Sequence, residues 1–114
     1  MMPSAQAAAS AAEAAGVFAA LADPTRWQVL ALLAARGEGT ATSVAAQLPV
    51  SRPAVIKHLA VLDRAGLVTH RRAGREVRYR VEPARLDETA RRIAALADAW
   101  DTRLAALKAL AEAD

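Results

Sequence analysis

Ser51-Arg52-Pro53-Ala54-Val55-Ile56-Lys57-His58-Leu59-Ala60-Val61-Leu62-Asp63-Arg64-Ala65-Gly66 carries the start, the body and the stop of one helix. Ser51 is an N-cap residue, whose hydroxyl accepts from an amide in the first turn. Pro53 falls inside that turn, where a missing N–H costs nothing. Val55, Leu59 and Leu62 recur at helical spacing and form one apolar stripe, and Gly66 is a stop signal. A shorter helix fits residues 42–48, with Thr42 as its cap, Val44, Ala45 and Leu48 turned inward, and Pro49 as its end. Two short helices joined by about three residues, the second cleanly capped, make the helix-turn-helix pattern.

Working outward, Asp23-Pro24 reads as a cap followed by proline at the first helical position. Trp27, Leu30 and Leu33 follow as its inward stripe, and Gly37 and Gly39 end that helix. An earlier helix spans about Ala8 to Leu21, with Val17, Phe18 and Leu21 as its apolar edge; residues 1–12, rich in alanine and serine, are expected to form a disordered tail. Downstream, residues 67–72 and 77–82 hold a cluster of β-branched residues and the single tyrosine around Ala73-Gly74-Arg75-Glu76, a hairpin signal. Pro83 opens a last helix that reaches about Ala111. The expectation is a mainly α chain with a small β-hairpin, in the order ααααββα, with residues 13–114 forming a single winged helix-turn-helix domain.

Composition narrows the function. The 114 residues suit one domain, and the 54% apolar content is largely alanine, with 4% aromatics. The absence of cysteine removes disulfides, thiolate metal sites and cysteine nucleophiles together. No run of 18 apolar residues is present to span a membrane, and residues 1–12 lack the basic region of a signal peptide. The net charge is +3, unevenly spread. Between Ser51 and Arg80 stand eight basic residues against two acids, a net of +6; the other seven basic and ten acidic residues leave −3. A solvated charged face would look alike, but a concentrated basic block is also the footprint of a polyanion binder.

The candidate contacts follow from groove geometry. At the start of the helix opening at Ser51, Arg52 can donate two hydrogen bonds to a guanine, Pro53 or Ala54 can touch a thymine methyl, and Lys57 suits a phosphate. His58 either contacts DNA or bonds locally. Arg71, Arg72, Arg75, Arg78 and Arg80 crowd the hairpin, with Arg75 at its tip and Tyr79 turned inward; their alternative role is to discourage strand pairing at an exposed edge. On the last helix Ile93, Ala97, Trp100, Leu104, Leu107 and Ala111 are spaced four, three, four, three and four apart, a seam for helix pairing. Such a rod, roughly 42 Å long, overhangs a domain of this size, so a second copy is expected to cover it, with Phe18 and Leu21 contributing from the first helix. The alternative is that Trp100 fills the monomer's own core.

Leu21-Ala22-Asp23-Pro24-Thr25-Arg26, then Ser51 to Leu59, then Leu62 to Val68, resemble the ArsR/SmtB family of bacterial repressors, and Arg71 to Arg75 with Tyr79 resemble that family's wing. The likeness covers roughly residues 15 to 82. It implies a homodimeric winged-helix repressor that binds an inverted-repeat operator on double-stranded DNA in the cytoplasm. Thr40 and Thr42 stand where the family's metal-sensing members carry cysteines, and the last helix offers Asp87, Glu88, Asp98 and Asp101 but no histidine. No metal and no cofactor are therefore expected, which places the chain in a non-metal-sensing branch and points to no particular effector. The competing reading is a winged-helix module for acidic protein partners. No phosphate loop, activated nucleophile or paired carboxylate points to an enzyme.

Overall fold

The Asp23 side chain accepts from the amides of Thr25 and Arg26 at 2.8 and 3.0 Å, and the chain turns helical at Pro24. In a computed structural model that describes residues 4–113, the elements run α1 (Ala5–Leu21), α2 (Pro24–Arg36), α3 (Ala41–Ala45), α4 (Arg52–Arg64), β1 (Val68–Ala73), β2 (Glu76–Val81) and α5 (Pro83–Glu112). The order is the ααααββα expected. Within the tail expected at residues 1–12, α1 already begins at Ala5, as alanine's high helix propensity allows; residues 1–3 lie outside the described residues.

Three further readings shift. The cap of α3 is Thr40 and not Thr42: Thr40 Oγ1 accepts from the Ser43 amide while Ser43 Oγ accepts from the Thr40 amide, a reciprocal capping box. Trp27 is 58% exposed, so the inward stripe of α2 is Val29, Leu30 and Leu33. The hairpin turn is two residues, Gly74-Arg75, closed by the pair Ala73 and Glu76. Gly74 has φ +65° and Arg75 a negative φ, the pattern of a type II′ turn, which matches the twist of the strands.

The core gathers Val17 and Ala20 from α1, the α2 stripe, Val44 from α3, and Val55, Leu59 and Leu62 from α4, closed by Leu67 and Val68. The α4 stripe is fully buried, as its spacing required. Gly39 exchanges backbone hydrogen bonds with Tyr79 at 3.0 and 2.8 Å and so adds one residue of strand to the far edge of β2. A Cβ at position 39 would stand 2.9 Å from Leu33 Cδ2, so a larger residue here would make the Leu33 side chain shift.

The 30-residue α5 is about 45 Å long. Thr89 is its only fully buried residue among those described. The molecule is 70 Å in its longest dimension with a radius of gyration of 18.9 Å, against about 13 Å for a compact domain of this length. The overhang expected from the sequence is present.

Candidate nucleic-acid interface

The first turn of α4 faces outward because its apolar stripe points the other way. Ser51 Oγ accepts from the Ala54 amide at 3.3 Å, and Ser51, Arg52, Pro53 and Lys57 are exposed, with Ala54 half-buried. The Arg52 Nε donates to Thr42 Oγ1 at 3.1 Å, which links the turn to α3. The amides at such a helix start favour negative charge.

Register sorts the arginines of the hairpin into two faces. Val68 pairs with Val81, His70 with Tyr79 and Arg72 with Val77 on the face turned toward α4 and the core; Arg71 pairs with Arg78 and Thr69 with Arg80 on the other. A groove of about 560 Å³ runs between α4 and the hairpin tip, lined by Thr42, Arg52 and Ile56 on one side and Arg75, Glu76, Val77 and Tyr79 on the other. The helix and the ribbon thus present their leading cations, Arg52 and Arg75, to one concave surface.

Arg71 and Arg78 stand apart from that surface. Arg71 Nη2 donates to Glu38 Oε1 and Oε2 at 3.1 and 3.2 Å, and Arg78 Nη1 donates to Glu38 Oε1 at 3.0 Å. Arg78 also pairs with Glu76 at 3.3 Å. These bonds, that from Arg78 first, hold the Glu38 carboxyl below its ordinary value of 4.5 and in turn hold the Arg78 proton more tightly. Arg72, Arg75 and Lys57 have no carboxylate partner among the described residues.

His58 is half-buried in the second turn of α4, beyond the exposed opening turn. His70 Nδ1 meets Asp63 Oδ2 at 2.8 Å and its ring lies 5.9 Å from that of Tyr79, so β1 is fastened to the end of α4. The sequence reading named neither Glu38 nor the Asp63–His70 pair. The available signal was an acid set between two glycines just before a helix cap, in a loop otherwise free of charge.

Thr40 and Thr42, which the family resemblance set against metal-sensing cysteines, are engaged in the α3 cap and the Arg52 bond. Among the described residues no three His, Cys, Asp or Glu side chains cluster as a metal site, and no helix is long and apolar enough to cross a membrane.

A second surface lies at the far side. Ile93, Trp100, Leu104 and Leu107 are each more than half exposed along α5, as are Leu96 and Leu110, which the seam had left out. Ala97 is exposed on the same helix. Trp100 at 57% exposure fills no core; Arg103 lies 5.5 Å over its ring. Between α1 and α5 runs an apolar groove of about 440 Å³ lined by Ala15, Phe18 and Leu96. Leu21, expected in this face, is half-buried against the chain's own core instead.

Comparison with known proteins agrees with this geometry. Residues 21–71 match a family described as a helix-turn-helix domain. The arsenical resistance operon repressor of Escherichia coli is 37% identical over 67 residues, 59% of this chain and 57% of that protein. An ArsR-like transcriptional regulator from a Rhodococcus species superposes with a TM-score of 0.82 at 48% identity, over 93% of this chain and 99% of that one. The homodimeric winged helix-turn-helix DNA-binding domain of Mb0332 from Mycobacterium bovis gives 0.68 at 30% identity, over 86% and 90%. The chain spans about half the length of the curated relatives it matches first.

Proposed function

The chain belongs to the ArsR family of winged helix-turn-helix transcriptional regulators, and we propose that it binds double-stranded DNA as a homodimer and represses transcription from an inverted-repeat operator. The observation that carries the reading is the shared groove: Arg52 at the exposed start of α4 and Arg75 at the hairpin tip line one concavity. In this reading α4 enters the major groove, Arg52 reads a base edge, and Pro53 and Ala54 contact methyl groups. Ser51, Lys57, Arg72 and Arg75 hold the backbone, with the tip beside the adjacent minor groove. His58 keeps the helix seated, and Arg71 and Arg78 shape the wing from behind.

The homodimer is supported by the apolar face of α5 and by the dimeric Mycobacterium bovis domain. Repression is supported by the named role of the Escherichia coli relative. In this reading the chain acts on DNA in the cytoplasm and catalyses no reaction.

Selection of bound duplexes from a random pool by the purified protein, followed by footprinting in excess competitor DNA, tests the reading. The expected outcome is an inverted repeat with two protected half-sites about 34–36 Å apart. Binding without sequence preference would overturn it.

A further inference from the structure

The Glu38 carboxylate sits between two guanidinium groups of the hairpin, those of Arg71 and Arg78. We propose that Glu38 is a specificity-determining residue: an internal anion that keeps Arg71 and Arg78 off the duplex. The cations left to meet DNA are then Arg52, Lys57, Arg72 and Arg75. The inference rests on the DNA-binding reading above.

Three features converge on it. The carboxylate accepts three charge-assisted bonds from two arginines. With Glu76 also on Arg78, the cluster of two arginines and two glutamates carries no net charge. The register sets Arg71 and Arg78 on the face opposite Val77 and Tyr79; neither arginine lines the groove, and of that face only Glu76, at the hairpin tip, reaches it. Finally, the backbone beside Glu38 is pinned, since Gly39 exchanges two hydrogen bonds with Tyr79 and delivers the carboxylate to a fixed place on the hairpin. The carboxyl, held below 4.5, stays ionised at neutral pH.

The consequence is selectivity. A cation that neutralises a phosphate strengthens binding to every sequence alike. It adds to the occupation of competing sites without improving the preference for the operator. Neutralising two of the hairpin's arginines internally withholds them from that indiscriminate term.

The experiment measures affinity against salt for a selected duplex and a random one, using wild type, Glu38→Gln, Glu76→Gln and the double variant Arg71→Ala/Arg78→Ala. The double variant is expected to keep the wild-type slope. Glu38→Gln is expected to steepen the slope by about one to two units, at roughly 0.9 per phosphate, and to lower the ratio of selected to random binding. Glu76→Gln adds the same charge at the edge of the groove while leaving Glu38 on both arginines, and shifts the slope less than Glu38→Gln does. A slope lower by about two units in the double variant overturns the inference, because the arginines then leave Glu38 for DNA. Unchanged binding in Glu38→Gln also overturns it, making the cluster a brace alone, as does an equal effect from Glu76→Gln. Should Glu38→Gln not fold, the slope of the double variant decides. Failure of wild type to bind any duplex sinks the preceding reading instead.

Discussion

Arg52 and Thr42 are joined side chain to side chain at 3.1 Å, so the guanidinium proposed to read a base is oriented from a neighbouring helix. A guanidinium already held in one rotamer loses less freedom on binding than a free one.

Arg52→Ala is therefore expected to weaken the preferred duplex by about 1–3 kcal/mol and to relax selectivity at one base position per half-site. Thr42→Val, which keeps shape and removes the acceptor, is expected to act in the same direction more weakly. Binding of duplexes substituted one base at a time checks both; a uniform loss at every position would remove Arg52 from base reading.

Arg75→Ala should behave differently. As a backbone contact at the tip it weakens all sequences alike and lowers the salt slope by about one unit. Anisotropy titrations between low and moderate salt measure that slope, and an unchanged value places the tip clear of the duplex.

Trp100→Asp puts a charge in the middle of the exposed face of α5. Sedimentation is expected to show the mass falling from twice 12.0 kDa to 12.0 kDa, with operator binding lost although α4 is untouched. A variant that remains paired would move the contact elsewhere.

Acid sensitivity follows from Asp23. The Arg26 amide first, then that of Thr25, holds its carboxyl below 3.8. A carboxyl with a lowered folded value stabilises the protein above its unfolded value, and the contribution disappears as pH falls through the folded one. Asp23→Asn keeps an acceptor at the cap without the proton equilibrium. Thermal melts between about pH 2 and 7 should show a shallower acid limb for Asp23→Asn than for wild type; parallel limbs would assign acid loss to other carboxyls.

Much of the fold could be read in advance because its signals are local. Asp23-Pro24, Ser51 with Pro53, and the Val55, Leu59, Leu62 stripe each act within two turns of helix, and each was realised. The readings that moved depend on partners distant in sequence or on near-equal local choices. Thr40 and Thr42 are both fit to cap, and the choice rests on Ser43 completing a reciprocal pair with Thr40. Trp27 continues the spacing of Leu30 and Leu33, but one turn of helix beyond the core leaves it facing solvent. In the candidate site the exposed α4 start was legible, whereas the sorting of the wing arginines was not. It needs the strand register and Glu38, which lies 33 and 40 positions from its two partners.

The surface on α5 and the surface at Ser51 occupy different regions of a molecule 70 Å long, so damage to one leaves the other whole. A chain altered only in the opening turn of α4 would still couple to intact copies, and each mixed pair would hold one sound half where two are required. Given the proposed dimer, the defective copy is expected to inhibit the good one in a cell carrying both versions. Its effect would grow with its share of the total chains and exceed that of simple absence.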